Sequence, residues 1–375
     1  MIQPSIVADL APAIQSREAA DPETYPAETM RDLFDSGVIG GPLPVADGGS
    51  GWTLAEATAA VEALARASAS AALIAAMPMG LSGVYAISDD AIPAECRQDW
   101  HDQAERYAAA VARGQLYAAA NSERGAGGSL AATRTIAKCS PGGAFRLTGD
   151  KILATGGANA AMFFSTARPD PADLPGCGIV EMFFIPSTGT GVEIKSDWNG
   201  FGMRSTESQS LHYQDAAAEG FIGYPDFLAK TQPLPLWYTL FAAVPLGCAG
   251  AVLSELGATP PQSPALRLRL AEALMRYEAA KAYLIQVAGE WRPAAGPAFA
   301  ARVLRAKTYV AQEMTKLAAE LFALGGGSQY RRGGRAARAL ADSFAGTALR
   351  PPLVLALDTM LEQLDIAGPL GVQPA

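Results

Sequence analysis

The chain has 375 residues, half of them apolar, and a formal net charge of −8. This length provides for two or three packed units with a sizeable core, and the acidic balance argues against a nucleic-acid surface, which needs a basic face. Because we find no apolar run of about 18 to 20 residues and no basic leader, we expect a cytoplasmic protein without a membrane span.

Residues 1–117 are predicted to form an all-α N-terminal domain. One helix begins at Pro26, where a proline suits the first turn. A long helix is predicted from Thr53 to Ala75, with an apolar stripe at helical spacing that faces the core. The segment Met77-Pro78-Met79-Gly80 is predicted to break the chain before two further helices.

Residues 118–224 have a different pattern, in which apolar residues alternate or form short runs separated by Gly, Pro or Asp. This pattern predicts a middle β domain, a small barrel or sandwich. The predicted strands contain Phe145-Arg146-Leu147, Met162-Phe163-Phe164-Ser165, Val180 to Ile185 and Ser210 to Tyr213.

Residues 225–375 return to helical spacing and are predicted to form a C-terminal antiparallel helical bundle. The predicted helices are Leu236–Leu256, Pro264–Trp291, Pro297–Leu324 and Pro352–Leu364.

Two glycine-rich turns lie within the β segment, Ser122–Ser129 and Gly149–Gly157. Such turns leave main-chain N–H groups uncovered and add hydroxyls, so that a flat ring with polar edges or a phosphate can be held there. Taken alone, glycine turns between strands are ordinary connections. Their pairing within one β segment favours a ligand site.

Metal and disulfide chemistry are not predicted. The four cysteines are far apart and form no C-x-x-C pair, and the two histidines, His101 and His212, are widely separated. The sequence therefore indicates neither a disulfide framework nor a zinc site.

The order of segments and four local motifs resemble the acyl-CoA dehydrogenase superfamily of flavoproteins over nearly the whole chain. The opening helices with the loop GGPLPVADGGSGW resemble the family's N-terminal region. NSERGAGGS resembles its Thr-Glu-Pro-x-Ala-Gly-Ser-Asp flavin loop, GDKILATGGANA its Gly-x-Lys-x-x-x-Thr strand, and DWNGFGMRSTESQSLHYQDA the segment that closes the β domain.

The resemblance implies a set of cofactor-binding residues. Ser122 matches the position whose hydroxyl meets the flavin ring edge, and Thr155 matches the second hydroxyl contact. Gly127 and Gly128 match the turn that faces flavin and substrate. Leu153 occupies the place of a Trp that stacks on the isoalloxazine in many members, so that aliphatic contact would replace the stacking.

The expected catalytic base is missing. Family members that oxidise acyl thioesters use a carboxylate from a Tyr-Glu-Gly-Thr turn, and this chain has Phe344-Ala345-Gly346-Thr347, which places Ala345 at the base position. Other family members carry the catalytic Glu on the first helix of the bundle. That position corresponds to Trp237 or Tyr238 in this chain, and neither residue is an acid. The catalytic residue therefore stays unassigned, with Asp342 or His101 as other possible proton acceptors.

The resemblance implies FAD as the cofactor, with FMN or a weakly held reduced flavin as the alternative. The Arg-x-x-Phe-Gly segment that clamps the FAD diphosphate is absent between Leu256 and Leu266, and Phe322 stands at the position of a family Gln.

Three functions follow from the resemblance. We slightly favour oxidation of an acyl-CoA-like thioester, with electron-transfer flavoprotein as the electron acceptor, because the dehydrogenase pattern is the better sequence match. The alternative is a two-component monooxygenase that receives reduced flavin from a flavin reductase. Members of that branch have a late Arg-x-x-Arg-Asp motif. Its two arginines match Arg335 and Arg338, but Ala339 stands at the position of the Asp. The third is an inactive paralogue that serves as a partner subunit.

Members of the family are dimers of bundles, so a homodimer or homotetramer is expected. The predicted contact face consists of Leu304, Val310, Met314 and Leu317.

Overall fold

The computed structural model describes residues 3–140, 144–173, 176–258, 263–331 and 333–362. Helices come first, strands second and helices last, which confirms the predicted fold class. The N-terminal helices are α1 (Ile6–Ala20), α2 (Ala27–Asp35), α3 (Leu54–Ala67), α4 (Ala69–Tyr85) and α5 (Arg97–Ala112). The domain boundaries after residues 117 and 224 stay predictions.

The long helix predicted from Thr53 to Ala75 is two helices, because the chain turns at Ser68. Ser68 has an extended backbone, and its hydroxyl accepts a hydrogen bond from the N–H of Ala71 at 3.2 Å while donating to Glu18 Oε2 at 2.7 Å. A serine in this arrangement is an N-cap. The apolar stripe is continuous across the turn, which is why periodicity does not detect it.

The predicted break at Met77 to Gly80 lies inside α4, which is buried along its length. Pro78 cannot donate a main-chain hydrogen bond, and neighbouring side chains bond the local carbonyls instead. Tyr107 donates to Pro78 O at 2.6 Å, and the Trp237 indole donates to Met77 O at 3.1 Å. A side chain at Gly80 would collide with that indole ring, since an added Cβ would lie 2.2 Å from it.

An eight-stranded sheet forms the middle of the described chain, with the order β6-β7-β3-β2-β4-β5-β8 and β1 paired to β4. The sheet curls around an apolar core that contains Leu147, Phe163, Phe183 and Tyr213. The strands are β1 (Tyr117–Ala119), β2 (Ile136–Cys139), β3 (Phe145–Ala154), β4 (Met162–Pro169), β5 (Glu181–Pro186), β6 (Val192–Ile194), β7 (Gln209–Ala218) and β8 (Gly220–Phe221).

The C-terminal part is the predicted helical bundle, with short helices in addition to the long ones. The predicted end of the last helix at Leu364 lies outside the described residues. The helices are α6 (Phe227–Thr231), α7 (Pro235–Gly257), α8 (Pro264–Gly289), α9 (Pro297–Leu324), α10 (Arg335–Ser343), α11 (Ala345–Ala348) and α12 (Leu353–Glu362).

Helix α7 is the centre of the bundle and packs against α3, α4, α8, α9 and α10. By length and composition it could cross a membrane, and 89% of its most apolar 18-residue window is buried inside the fold. The expectation that no apolar run reaches membrane length is therefore wrong. A helix that is apolar on all sides is the pattern of a buried core helix as well as of a membrane span.

The face predicted to contact a second subunit is already covered. Leu304, Val310, Met314 and Leu317 on α9 are all buried within the subunit. This prediction is wrong because the apolar stripe of α9 packs against α7 and α8. Helix α8 instead exposes Leu268, which is 61% accessible to solvent.

Candidate active site

A cavity of about 300 Å³ lies where α4, the sheet and the C-terminal helices meet. Most of its wall is apolar and aromatic. The side chains that form this wall include Leu73, Met77, Phe164, Met182, Trp198, Phe201, Trp237, Phe241 and Phe344. An apolar cleft with a few polar groups is the usual form of a cofactor or substrate site.

Two exposed aromatic side chains line the cavity where it meets solvent. Phe201 is 78% and Phe344 47% accessible, and their ring centroids are 6.1 Å apart in an edge-on arrangement. They come from the loop before β7 and from the residue that joins α10 to α11. An apolar ligand would therefore meet aromatic surface at the entrance.

The structure brings together three of the five predicted cofactor residues: Ser122, Leu153 and Thr155 all line the cavity. The main chain of Ile152 donates to Ser122 O at 2.9 Å, so that the first glycine turn is attached to β3. Thr155 is buried, and its hydroxyl lies 3.1 Å from that of Ser208. Two hydroxyl-bearing residues thus lie on the β side of the cavity.

Leu153 has an unusual backbone. Its φ is +58°, a left-handed conformation that branched side chains rarely adopt and that costs on the order of 1–3 kcal/mol. The side chain is about half exposed and forms part of the cavity wall. Strained residues of this kind are concentrated at functional sites, and the contact between Leu153 and the flavin ring stays a prediction.

Gly127 and Gly128 are not among the residues that line the cavity. Both have positive φ, +58° and +83°. At Gly128 an added Cβ would lie 2.4 Å from Pro352 Cδ, so a side chain there would push away the segment before α12. The two glycines shape the loop, and their contact with flavin stays a prediction.

A buried ion pair directly beneath the first turn was not predicted. Lys151 Nζ lies 2.7 Å from Glu123 Oε1, and Glu123 also accepts from the main chain of Arg134 and the hydroxyl of Thr135. Burial opposes ionisation of Glu123, but these donors hold the pKa of its carboxyl below the ordinary value, while burial lowers the pKa of Lys151 to about 8. The pair anchors the residue next to Ser122 to β3.

No carboxylate or imidazole lines the cavity within the described ranges. Ala345 lines it, as do Trp237 and Tyr238, so both family positions for a base are occupied by side chains that are not acids. Burial raises the pKa of the Tyr238 phenol, which keeps it neutral. His101 is exposed and paired with Asp89 at 2.8 Å, away from the cavity.

Asp342 lies in a neighbouring pocket of about 400 Å³ that shares Gly200, Phe201, Gly202 and Ala341 with the cavity wall. One carboxylate oxygen accepts from the main chain of Met203 at 2.6 Å. Burial raises the pKa of Asp342 to about 7. Arg338 lines the same pocket, and Arg335, Arg338 and Asp342 together line a smaller one. Neither arginine is among the residues that line the cavity with Ser122 and Thr155.

Arg350 is a cavity residue that the sequence analysis missed. Its guanidinium donates from Nη2 to Asn121 O at 2.6 Å, while Nε is buried without a partner among the described residues. Together with the hydroxyls of Ser122 and Thr155, it adds polar groups to a largely apolar cavity. A flat aromatic ring with a polar edge, such as an isoalloxazine, fits this combination of donors and apolar walls.

Comparison with known proteins agrees with this architecture. The profile of the acyl-CoA dehydrogenase N-terminal domain matches residues 5–115, and that of the middle domain matches residues 118–216. Probable acyl-CoA dehydrogenase YngJ from Bacillus subtilis is 23% identical over 329 residues, which are 82% of each chain.

Among solved structures, KijD3 in complex with FMN and dTDP-3-amino-2,3,6-trideoxy-4-keto-3-methyl-D-glucose superposes with a TM-score of 0.81 at 21% identity, covering 99% of this chain and 93% of KijD3. FMN-bound TdsC from Paenibacillus sp. A11-2, a dibenzothiophene monooxygenase, gives a TM-score of 0.79 at 20% identity, with 95% of each chain covered. The two family profiles cover more than half of the sequence, and the chain therefore belongs to the acyl-CoA dehydrogenase family.

Proposed function

We propose that the protein is a flavin-dependent monooxygenase that takes reduced flavin from a partner reductase and transfers oxygen to an electron-rich nitrogen or sulfur atom. The observation that carries this proposal is the apolar cavity, which has no acid or imidazole among its described lining residues. Reduced flavin supplies the electrons that activate O₂. The protein would supply the apolar walls, the hydroxyls of Ser122 and Thr155, and exclusion of water.

The lining of the cavity, which contains no acid among the described residues, supports oxygen transfer over desaturation. Desaturation of an acyl thioester removes a proton from carbon, which needs a base within hydrogen-bonding reach of the substrate. Ala345 and Trp237 cannot accept that proton. Oxygen transfer to a lone pair on nitrogen or sulfur breaks no carbon–hydrogen bond, so a cavity without a base suits it. This reverses the slight preference for thioester oxidation that the sequence suggested.

The aromatic walls indicate the substrate class. Trp198, Trp237 and Phe241 offer surface to a flat apolar ring. Two structural relatives carry names that agree with nitrogen or sulfur chemistry: KijD3 binds an amino sugar nucleotide and TdsC is a dibenzothiophene monooxygenase. Both are described with FMN, which supports FMN as the flavin here.

A second candidate is the oxidation of an acyl thioester with FAD. The sequence relatives named as acyl-CoA dehydrogenases favour it, and Asp342, whose pKa is about 7, lies one residue from the cavity wall at Ala341. This function requires Asp342 to reach the substrate from the neighbouring pocket.

Purified protein separates these candidates. We expect it to contain little flavin, to take up reduced FMN, and to oxygenate a simple aromatic sulfide such as thioanisole in air. Ala348→Phe should block turnover by filling the cavity that Ala348 lines, whereas Ala298→Phe, at a likewise exposed position on α9 outside the lining, should not. Tightly bound FAD that acyl-CoA bleaches without oxygen would overturn the proposal, and no uptake of any flavin would favour an inactive partner subunit.

A further inference from the structure

Arg350 is the only charged side chain among the described residues that line the cavity. Its guanidinium makes one hydrogen bond, to the main-chain oxygen of Asn121, and its Nε is buried without a partner in the described part of the chain. Buried guanidinium groups are normally paired or fully hydrogen-bonded. Arg350 therefore has unused capacity to bind an anionic or carbonyl-bearing ligand.

The charge of Arg350 is not cancelled by the protein. The nearby carboxylate whose charge acts on it is Glu123. Glu123 is already engaged by Lys151 at 2.7 Å and by the main chain and hydroxyl of Thr135. Tyr238, which also lies close, is neutral because burial raises the pKa of its phenol. The part of the cavity next to Arg350 consequently has a positive potential.

A buried lysine holds Arg350 in position. Lys307 projects from α9, is almost fully buried, and donates from Nζ to the carbonyls of Leu349 at 2.8 Å and Pro351 at 2.7 Å. These two carbonyls flank Arg350 in the chain. The segment is thus attached to the bundle core on one side and to the residue before Ser122 on the other.

We propose that Arg350 contacts the pyrimidine edge of the flavin and makes the protein bind reduced flavin in preference to oxidised flavin. The inference rests on the proposed function, in which the cavity receives flavin already reduced. Ser122, next to Asn121, is the residue predicted to meet the flavin ring edge, so Arg350 lies at the same edge. Reduced flavin can carry negative charge on its pyrimidine ring whereas oxidised flavin is neutral, and a guanidinium in an apolar cavity favours the charged form.

Lys307 is a positioning residue in this arrangement, since it contacts the segment that carries Arg350 and does not line the cavity. The guanidinium of Arg350 is the group that contacts the ligand. Arg350→Lys should keep part of the preference, because the charge is retained but the forked donor geometry is lost.

The test measures the dissociation constants of oxidised FMN and of anaerobically photoreduced FMN for the full chain. Wild type should bind reduced FMN more tightly, and Arg350→Met should lower the ratio of the two affinities by about tenfold to a hundredfold. A tenfold change in this ratio corresponds to a shift of about 30 mV in the two-electron potential of bound flavin. Arg124→Met, which removes an exposed cation two residues from Ser122, should leave the ratio unchanged.

Circular dichroism and thermal melting establish that each variant is folded. If Arg350→Met does not fold, Arg350→Gln replaces it as the variant without the charge. The inference would be overturned if wild type, Arg350→Lys and this uncharged variant had the same ratio of affinities for reduced and oxidised FMN. Loss of affinity for anionic substrates at an unchanged flavin ratio would also overturn it, since Arg350 would then bind substrate. Tightly bound FAD that acyl-CoA reduces would instead refute the proposed function, so the two failures are distinguishable.

Discussion

At the scale of single residues, the hydroxyls of Ser122 and Thr155 are the most direct test of where flavin lies. Both line the cavity. Replacing both with Val should weaken flavin binding, because each lost hydrogen bond to a buried ring costs roughly 1 kcal/mol or more. Flavin titration followed by fluorescence measures this. Thr188→Val, which removes an exposed hydroxyl outside the cavity lining, is the control, and unchanged affinity in the double variant would refute the placement.

Ala345 tests the reasoning about the missing base. A glutamate at this apolar position should have a pKa raised toward neutrality by desolvation, which suits proton abstraction from carbon. We expect Ala345→Glu to gain flavin reduction by a short acyl-CoA, measured as anaerobic bleaching of the flavin band, and Ala345→Gln not to gain it. If wild type bleaches as quickly as the variant, another group acts as base.

We expect Asp342 to make the stability of the protein depend on pH. Its pKa is about 7 in the folded protein against an ordinary value of 3.8, mainly because burial disfavours the charge. Between about pH 4 and 7 the folded state holds a proton that the unfolded state has lost, so the free energy of unfolding falls as pH rises through this window.

Asp342→Asn should remove this dependence, because an amide oxygen can still accept from Met203 N but does not titrate. The stability of the variant relative to wild type should therefore rise by up to about 4 kcal/mol from pH 4 to pH 8. Urea denaturation at several pH values measures the effect. Parallel stability profiles for the two proteins would show that Asp342 titrates normally.

At the scale of elements, the Glu123–Lys151 pair joins the first glycine turn to β3. Glu123→Gln or Lys151→Met alone leaves the partner's charge buried and unpaired, with an expected cost of about 3–5 kcal/mol. The double variant Glu123→Gln with Lys151→Met should cost clearly less than the two single changes together. The exposed pair Arg269 and Glu272 on α8 is the control, where removal should change stability by at most about 1 kcal/mol. Additive costs at Glu123 and Lys151 would contradict the coupling.

An element can be predicted from the sequence when the interactions that form it lie close together in the chain. Helices α7, α8 and α9 were predicted within a few residues because apolar spacing, prolines at the first turn and terminal glycines act locally. The turn at Ser68 was missed because the apolar stripe continues across it; its cap bond from Ala71 N is local, but the bond from the Ser68 hydroxyl to Glu18 is made 50 residues away. Arg350 was missed because its hydrogen-bond partner Asn121 is 229 residues distant and its backbone is held by Lys307.

At the scale of the whole molecule, the cavity exists only where three parts of the chain meet. Met77 comes from the N-terminal helices, Thr155 from the sheet and Phe241 from the bundle. Packing among these parts, and not any one motif, sets the apolar character that the proposed reaction needs. The expectation of a homodimer or homotetramer stays a prediction, and its contact surface must differ from the buried face of α9.

The central claim is that this cavity supports oxygen transfer and not proton removal from carbon. The most direct measurement supplies the protein with reduced FMN, thioanisole and ¹⁸O₂, and determines the label in the product by mass spectrometry. The account predicts one labelled oxygen atom per sulfoxide, dependent on the protein and abolished by Ala348→Phe. Two results together would contradict it: no aromatic sulfide or amine gains label, and acyl-CoA reduces the bound flavin of the wild-type protein without oxygen.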